Sequence, residues 1–368
     1  MKIGLIVPGG VDRSGEVRVI PALLALVRRL AATHELHVFA THQEPTPGSW
    51  SLEGARVHNL GLPHTAWRAL RMVWAEHRRA PFQIMHSIWA GRCGALAVGL
   101  GALLRVPSLV HVAGGELVAL HDIGYGGCVS RRGRFLQRAV LRHATRVTAA
   151  SEPMCALVAE HGVRAQRVPL GVDLQRWPTR RPVRRQQGEP AKLVHVATLN
   201  RVKDQGLLLR ALRLLADRGC DFRLDVVGED TLDGEIQALA AELGVARHIH
   251  FHGFLTQREL RPVIEAAHLA VISSRHEAGP LVALEAAAIG VPTVGTAVGH
   301  IAEWSPRAAL AVPVQDPVAL AGALETVLAD EELRLRLANE AHQRATLEDA
   351  AHTARVFDDL YRQLSGGG

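Results

Sequence analysis

Two glutamates eight positions apart, Glu277 and Glu285, lie in the stretch LAVISSRHEAGPLVALEAAAIGVPTVGTAVG, residues 269–299. Residues 269–272 are a short apolar run of the kind that forms a buried parallel strand, 273–279 are polar and turn-rich, and 281–289 read as a helix. Pro280 is expected at the first helical position, where its missing N–H costs nothing. The amides that follow, of Leu281 and Val282, then lack an acceptor inside the helix and point outward at the positive end of its dipole, where phosphate binds naturally. Glu285 falls among Leu284, Ala286, Ala287 and Ala288. Its carboxylate must either face solvent or bind something, and the small alanines leave room for a ligand to approach. A turn framed by two carboxylates beside a phosphate-binding helix end reads as a catalytic half-site.

The rest of the chain supplies elements to position such a turn. Residues 3–7 read as a buried strand, followed by a glycine-rich loop over 8–15 and a helix over 16–32. The loop lacks GxGxxG spacing, so an NAD site is not indicated. Its Gly9, Gly10 and Gly15 either bring backbone close to a ligand or make a flexible turn. Strand candidates follow at 36–40, 84–88, 109–112 and 147–150, with helices over 66–77, 94–104 and 154–161. Such alternation predicts a parallel sheet covered on both faces, with binding loops at the strands' carboxyl ends. Those ends carry His86, then His111 with Ala113, Gly114, Gly115 and Glu116; a core or surface role is the ordinary alternative for either histidine.

A second series has strands at 193–197, 223–227, 248–252 and 269–272, with helices over 206–218, 232–243 and 258–267. Its strand ends carry Arg201 and Lys203, then Gly228, then Gly253 with Phe254. The two cations read either as an anion site or as surface charges, and the glycines let a ligand approach backbone. Between the series, residues 176–190 are rich in Arg, Gln and Pro without hydrophobic period and are expected to be an interdomain linker. The domains are therefore expected at 1–175 and 191–346, with one helical pattern over 318–342.

Composition narrows the function classes. The chain has 368 residues, 48% of them hydrophobic, enough for two domains with substantial cores. Cys93, Cys128, Cys155 and Cys220 are scattered and form neither a CxxC pair nor a disulfide-like framework, which fits a reducing cytoplasm. The longest apolar run, 94–104, is too short to span a bilayer, so a soluble or peripheral protein is expected. The net charge is +6, but the arginines are not interleaved with stacking aromatics, and nucleic-acid binding is not expected. Two clusters stand out. Arg131, Arg134, Arg138 and Arg142 fall at helical spacing and could meet an anionic membrane, or simply be solvated; Arg180, Arg181, Arg184 and Arg185 read as a solvated linker.

The segment 269–299 is similar to the Glu-x7-Glu signature of retaining glycosyltransferases of the GT-B fold, the large family 4-like group that includes bacterial mannosyltransferases and glycogen and sucrose synthases. The resemblance extends along nearly the whole chain. Residues 198–205 resemble the family's Gly-Arg-Leu-x-x-x-Lys-Gly loop, with Lys203 at the Lys position, Thr198 in place of Arg, and Arg201 as the substitute cation. Residues 111–116 resemble its His-Gly-x-Asp/Glu loop with Ala113 at the usual His, leaving that contact to His111 or His86, or unmade. Residues 168–173 resemble Pro-Asn-Gly-Val-Asp with Leu170 for Asn, residues 298–303 resemble Gly-Gly-x-x-Glu with His300 for the second Gly, and Gly279-Pro280 stands where Phe-Gly is usual.

The resemblance implies two Rossmann-like α/β domains facing each other across a cleft, with a C-terminal helix, 347–368, crossing back to the N-terminal one. Glu277 would then contact the donor sugar's hydroxyls and Glu285 the ribose. Gly279, Leu281, Val282, Gly15, Gly228, Gly253 and Phe254 become donor-side residues; His86, His111, Gly114 and Glu116 become acceptor-side candidates. The implied reaction moves a sugar from a UDP- or GDP-sugar to a small-molecule, lipid or glycan acceptor with retention. A helix N-terminus plus Lys203 and Arg201 can stabilise the leaving diphosphate. With no DxD motif and no His/Cys ligand set, neither a metal nor a cofactor besides the donor is expected. A nucleotide-sugar epimerase of the same fold and a noncatalytic nucleotide-sugar-binding protein are the alternatives.

Overall fold

The run KIGLIV, apolar after its first residue, forms β1 (Lys2–Val7), buried along its whole length, at the centre of the first of two α/β units. The computed structural model describes residues 1–186 and 188–366. Its first unit comprises Met1–Asp173 together with the chain from Asp349 onward, and its second comprises Leu174–Glu348. Of the ranges expected from sequence, position 187 of the linker and positions 367–368 of the terminal helix lie outside the described residues.

In the first unit β1 is followed by α1 (Pro21–Ala31), β2 (Glu35–Ala40), β3 (Gly48–Leu52), β4 (Ala55–Asn59), α2 (Thr65–Arg79) and β5 (Ile84–Ile88). Then come α3 (Gly91–Leu104), β6 (Ser108–Val112), α4 (Arg131–His143), β7 (Arg146–Ala149), α5 (Glu152–Glu160) and β8 (Gln166–Arg167). The sheet order is β3-β4-β2-β1-β5-β6-β7-β8, parallel except for the β3–β4 pair. Right-handed crossovers place α2, α3 and α4 side by side on one face, α3 packing against both neighbours.

The second unit contains β9 (Ala191–Val196), α6 (Gln205–Asp217), β10 (Phe222–Val227), α7 (Glu235–Glu242), β11 (Ile249–Gly253), α8 (Gln257–Glu265) and β12 (Leu269–Ile272). It continues through α9 (Leu281–Ala288), β13 (Thr293–Thr296), α10 (Gly299–Trp304), β14 (Ala309–Val312), α11 (Pro317–Ala329) and α12 (Glu331–Leu347). Its parallel sheet runs β11-β10-β9-β12-β13-β14. Leu193, Leu212, Phe222, Leu224, Leu269 and Leu324 belong to one core between sheet and helices. The last helix, α13 (Ala350–Ser365), packs on α1 of the first unit.

Three expectations need correction. The helix expected over 16–32 starts only at Pro21, because residues 8–20 close on themselves through a Val11–Val19 bridge and an Ile20 N–H bond to the Gly10 carbonyl at 3.0 Å. The pattern over 318–342 is two helices: Asp330 accepts from the Leu333 amide at 2.9 Å and caps α12. The described part of 176–190 has no regular element, yet it runs along the second unit. Three of its arginines are paired, Arg180 with Glu265, Arg184 with Glu332, and Arg185 through its amide with Glu331. The β3–β4 hairpin is not among the expected strands, since both are only five residues long and polar residues break their apolar pattern.

Candidate functional site

The turn after β12 is stitched to the loop after β9. Ser273 Oγ donates to the Lys203 carbonyl at 2.8 Å, the Arg275 amide to the Val202 carbonyl at 2.7 Å, and Thr296 Oγ1 to the Ser274 carbonyl at 2.6 Å. These bonds fix two strand-end loops against each other and bring Lys203 Nζ to 2.6 Å from Glu277 Oε1, which also accepts from Ser274 Oγ at 2.6 Å. The Lys203 side chain is 25% exposed and that of Glu277 15%, so the pair is screened from bulk water yet within a ligand's reach. Asp204, in left-handed backbone at φ +47°, caps α6 by accepting from the Leu207 amide at 3.1 Å.

A buried histidine supports this arrangement from behind. His195 on β9 donates from Nδ1 to the Val271 carbonyl at 2.9 Å, and its Nε2 lies 3.2 Å from Gln205 Nε2, which also donates to the Thr198 carbonyl. Burial pushes His195 down to about 4, so it is neutral and Nε2 can accept. Neither His195 nor Gln205 was singled out from sequence, because a histidine inside an apolar strand gives no sign of what it meets.

Glu285 is 6% exposed inside α9, and burial pushes its carboxyl up to about 7. One oxygen accepts from Gln257 Nε2 at 3.1 Å, while Gln257 Oε1 accepts from the Trp177 indole at 2.6 Å. The indole can only donate, so it orients the amide and turns its NH₂ toward Glu285. Pro280 proves to be the N-cap rather than the first helical residue: its carbonyl accepts from Ala283 at 3.1 Å, and α9 opens at Leu281. The amides of Leu281 and Val282 thus stand in the first turn, where the helix offers no acceptor. Gly279 lies against His300; a Cβ there would be 2.7 Å from His300 Nε2, and that ring stacks on Trp304.

Gly228 and Gly253 meet each other, the Gly228 amide donating to the Gly253 carbonyl at 2.8 Å. Gly228 has φ +152°, and a Cβ would run into the Ala197 carbonyl, so glycine is needed there for backbone crossing alone. Phe254 beyond it is 56% exposed. Arg201 is paired on the surface: both its Nη atoms lie 2.6 Å from the exposed Glu235 carboxylate, a planar fork matched to that acid.

In the first unit, Gly15 at φ +68° belongs to a loop tied by Asp12, which accepts from the Ser14 amide at 3.0 Å and from Arg18 at 2.5 Å. The acceptor-side expectation fails for both histidines. His86 and His111 are fully buried beneath α13: His86 Nδ1 is 2.6 Å from the Tyr361 hydroxyl, His111 Nδ1 is 2.9 Å from Thr148 Oγ1, and Phe357 packs on both rings. Burial holds both far below the ordinary histidine range. Glu116 is also buried, raised by desolvation, and accepts backbone bonds from Ala90 at 3.0 Å and Ala113 at 3.4 Å. Gly114 is pressed on the Trp89 ring, where a Cβ would come within 2.9 Å. Glu116 thus shapes the loop from inside, whereas Gly114 is half-buried.

Among the described residues, His37, His58 and Glu76 have ligand atoms within 4.8 Å of one another, a grouping that the sequence spacing did not reveal. Lys2 already fills the cation's role there, with Nζ 3.1 Å from Glu35 and 3.7 Å from Glu76. His37 bridges His58 and Glu35 at 3.0 Å each, so the cluster is satisfied by protons and an ammonium.

Residues 178–344 match the family described as Glycosyl transferases group 1, and residues 19–171 match the Glycosyl transferase 4-like domain. The chain is 34% identical over 221 residues to a D-inositol 3-phosphate glycosyltransferase of Corynebacterium urealyticum, covering 55% of this chain and 52% of that protein. The chain thus spans about half the length of the curated relatives it matches. Among solved structures, sucrose-phosphate synthase from Thermosynechococcus elongatus is similar with a TM-score of 0.83 over 100% of both chains at 21% identity. HepE from Anabaena, in complex with UDP-glucose, gives 0.74 over 99% of this chain and 100% of that one at 16% identity. At those identities the likeness is one of fold, two parallel-sheet Rossmann-like units of the GT-B type.

Proposed function

The chain belongs to the glycosyl transferases group 1, and from that premise we propose that it moves a sugar from a nucleoside diphosphate sugar to a small-molecule, lipid or glycan acceptor with retention of configuration. The observation that supports this reading most is the Lys203–Glu277 pair at the strand end that leads into α9. The negative charge that develops on the leaving diphosphate meets the Leu281 and Val282 amides and the Lys203 ammonium, preorganised groups that cost no rearrangement as the bond breaks. Glu277 faces the sugar, where a carboxylate opposes growing positive character on the ring. Glu285 accepts from the ribose hydroxyls. A phosphate oxygen of the leaving group takes the acceptor's proton on the same face, a step that depends on positioning more than on a strong base. No metal is required in this scheme.

The test is product analysis after incubation with UDP- and GDP-sugars. Transfer, or slow hydrolysis to free sugar and nucleoside diphosphate, supports the proposal. An isomerised donor would point to an epimerase instead, and binding with no turnover to a noncatalytic nucleotide-sugar-binding protein.

A further inference from the structure

The helical layer α2–α3–α4 turns an unusual surface outward. Its inner side is ordinary: Ala69 and Val73 of α2, Ala97 and Leu100 of α3, and Val140 and Leu141 of α4 are buried. On the outer side Trp67 is 57% exposed, Leu70 41% and Trp74 46%, one stripe of α2 at i, i+3 and i+7. Leu103 near the end of α3 is 51% exposed, and Phe135 on α4 is 76% exposed. The whole chain has only six tryptophans, so two on one solvent-facing stripe are out of proportion to its composition.

Charge on this face has one sign. Arg71 and Arg78 share the tryptophan stripe, and the Arg71 guanidinium lies 5.5 Å from the Trp67 ring centroid. On α4, Arg131, Arg132 and Arg138 flank Phe135 at i−4, i−3 and i+3, with Arg142 one turn further, all exposed. The single carboxylate in the three helices, Glu76, is buried and faces Lys2 and Arg79. The arginine cluster visible in the sequence is therefore one edge of a wider surface that carries exposed apolar residues on all three helices.

We propose that this layer docks on an anionic lipid surface, with Trp67, Trp74, Leu70 and Phe135 entering the interface and the arginines meeting phosphate headgroups. Indole rings with a polar N–H and an apolar body settle at headgroup depth, and arginines beside them gain from the negative surface potential. A nucleic acid would use the cations and could stack on the rings, but it has no use for the exposed Leu70 and Leu103. No helix among the described residues is long and apolar enough to cross a membrane, so the contact lies in the interface plane. The proposal is independent of the reaction.

The test is co-sedimentation of the full chain with vesicles of phosphatidylcholine alone and of phosphatidylcholine mixed with phosphatidylglycerol. Binding to the anionic vesicles at low salt, weakening as salt rises, is expected, with a blue shift in tryptophan emission. R132Q/R138Q should lower the partition coefficient about fivefold per arginine, and W67S/W74S by tenfold or more, the scale of burying two apolar side chains. Unchanged thermal midpoints would show that these surface variants fold. Equal recovery with both vesicle types overturns the proposal, as does anionic binding indifferent to W67S/W74S, which is mere adsorption. Tighter, Trp-dependent binding to a single-stranded oligonucleotide than to vesicles would assign the surface to nucleic acid instead.

Discussion

Lys203 Nζ lies 2.6 Å from Glu277 Oε1, although the two residues are 74 positions apart and belong to loops that follow different strands. The bonds from Ser273 and Arg275 hold those loops together, and Thr296 ties the second of them to β13, so the pair is a consequence of backbone placement and not of two long side chains finding each other in solvent.

From this comes the first expectation. Glu277→Gln keeps size and hydrogen-bonding reach but removes the charge opposing positive character on the sugar ring, so turnover should fall about 10²-fold or more. Affinity for the free nucleoside diphosphate should not fall, because on the proposed reading Glu277 contacts the sugar, and removing its charge leaves the Lys203 ammonium free for the diphosphate. Steady-state rates and calorimetric titration with UDP or GDP read the two separately. Normal turnover with the true donor and acceptor would remove Glu277 from the reacting site.

Glu285 should leave a mark on stability. Burial raises its folded-state pKa from 4.5 to about 7. Between those values the folded protein holds a proton that the unfolded chain has released, so this group favours folding toward acid, and the advantage is lost as pH rises through about 7. Glu285→Gln mimics the protonated form at every pH. It should be more stable than the parent at pH 8, by up to about 3 kcal/mol from a shift of that size, and equal to it near pH 4. Urea unfolding at several pH values checks this; parallel stability curves would show that Glu285 is not strained by its burial.

The Trp177–Gln257–Glu285 chain offers a sharper probe of the same carboxyl. Gln257 donates to Glu285 and so holds its pKa lower than burial alone would. Since a charged acceptor binds hydroxyls more strongly than a neutral one, nucleotide affinity should rise with pH around 7 as Glu285 ionises. In Gln257→Leu the inflection should move to higher pH. An unmoved inflection, measured by titration of nucleoside diphosphate across pH 5.5–9, would mean that another group controls it.

What the sequence disclosed and what it hid divide along locality. The strand–turn–helix around Glu277 was legible because an apolar tetrad, a polar turn and an alanine-rich run follow one another without interruption, and the strand and helix alternation was legible for the same reason. Partners were not. Glu285 could be placed on α9, but Gln257, 28 positions away, and Trp177, 80 from Gln257, are joined to it only by folding. Arg201 stands close to Lys203 in sequence, but spacing did not disclose that it pairs on the surface with Glu235, 34 positions on. Spacing of 3.6 or 2 residues reports which face is buried; it says nothing about which polar atom waits on that face.

His86 is the plainest case, and it carries the last prediction. At a strand's carboxyl end it resembled an acceptor contact, but α13 comes from 275 residues away to place the Tyr361 hydroxyl 2.6 Å from His86 Nδ1, with Phe357 packed on the ring. Burial keeps the imidazole neutral, so it can neither bind an anion by charge nor exchange protons near neutral pH. Its role is then to anchor α13 to the sheet. Tyr361→Phe deletes one hydroxyl and leaves a buried ring nitrogen without its partner, which should cost about 1–3 kcal/mol of stability. Turnover and the KM for acceptor, measured well below the lowered melting temperature, should not change. A raised acceptor KM with undiminished stability would instead return His86 to the acceptor side.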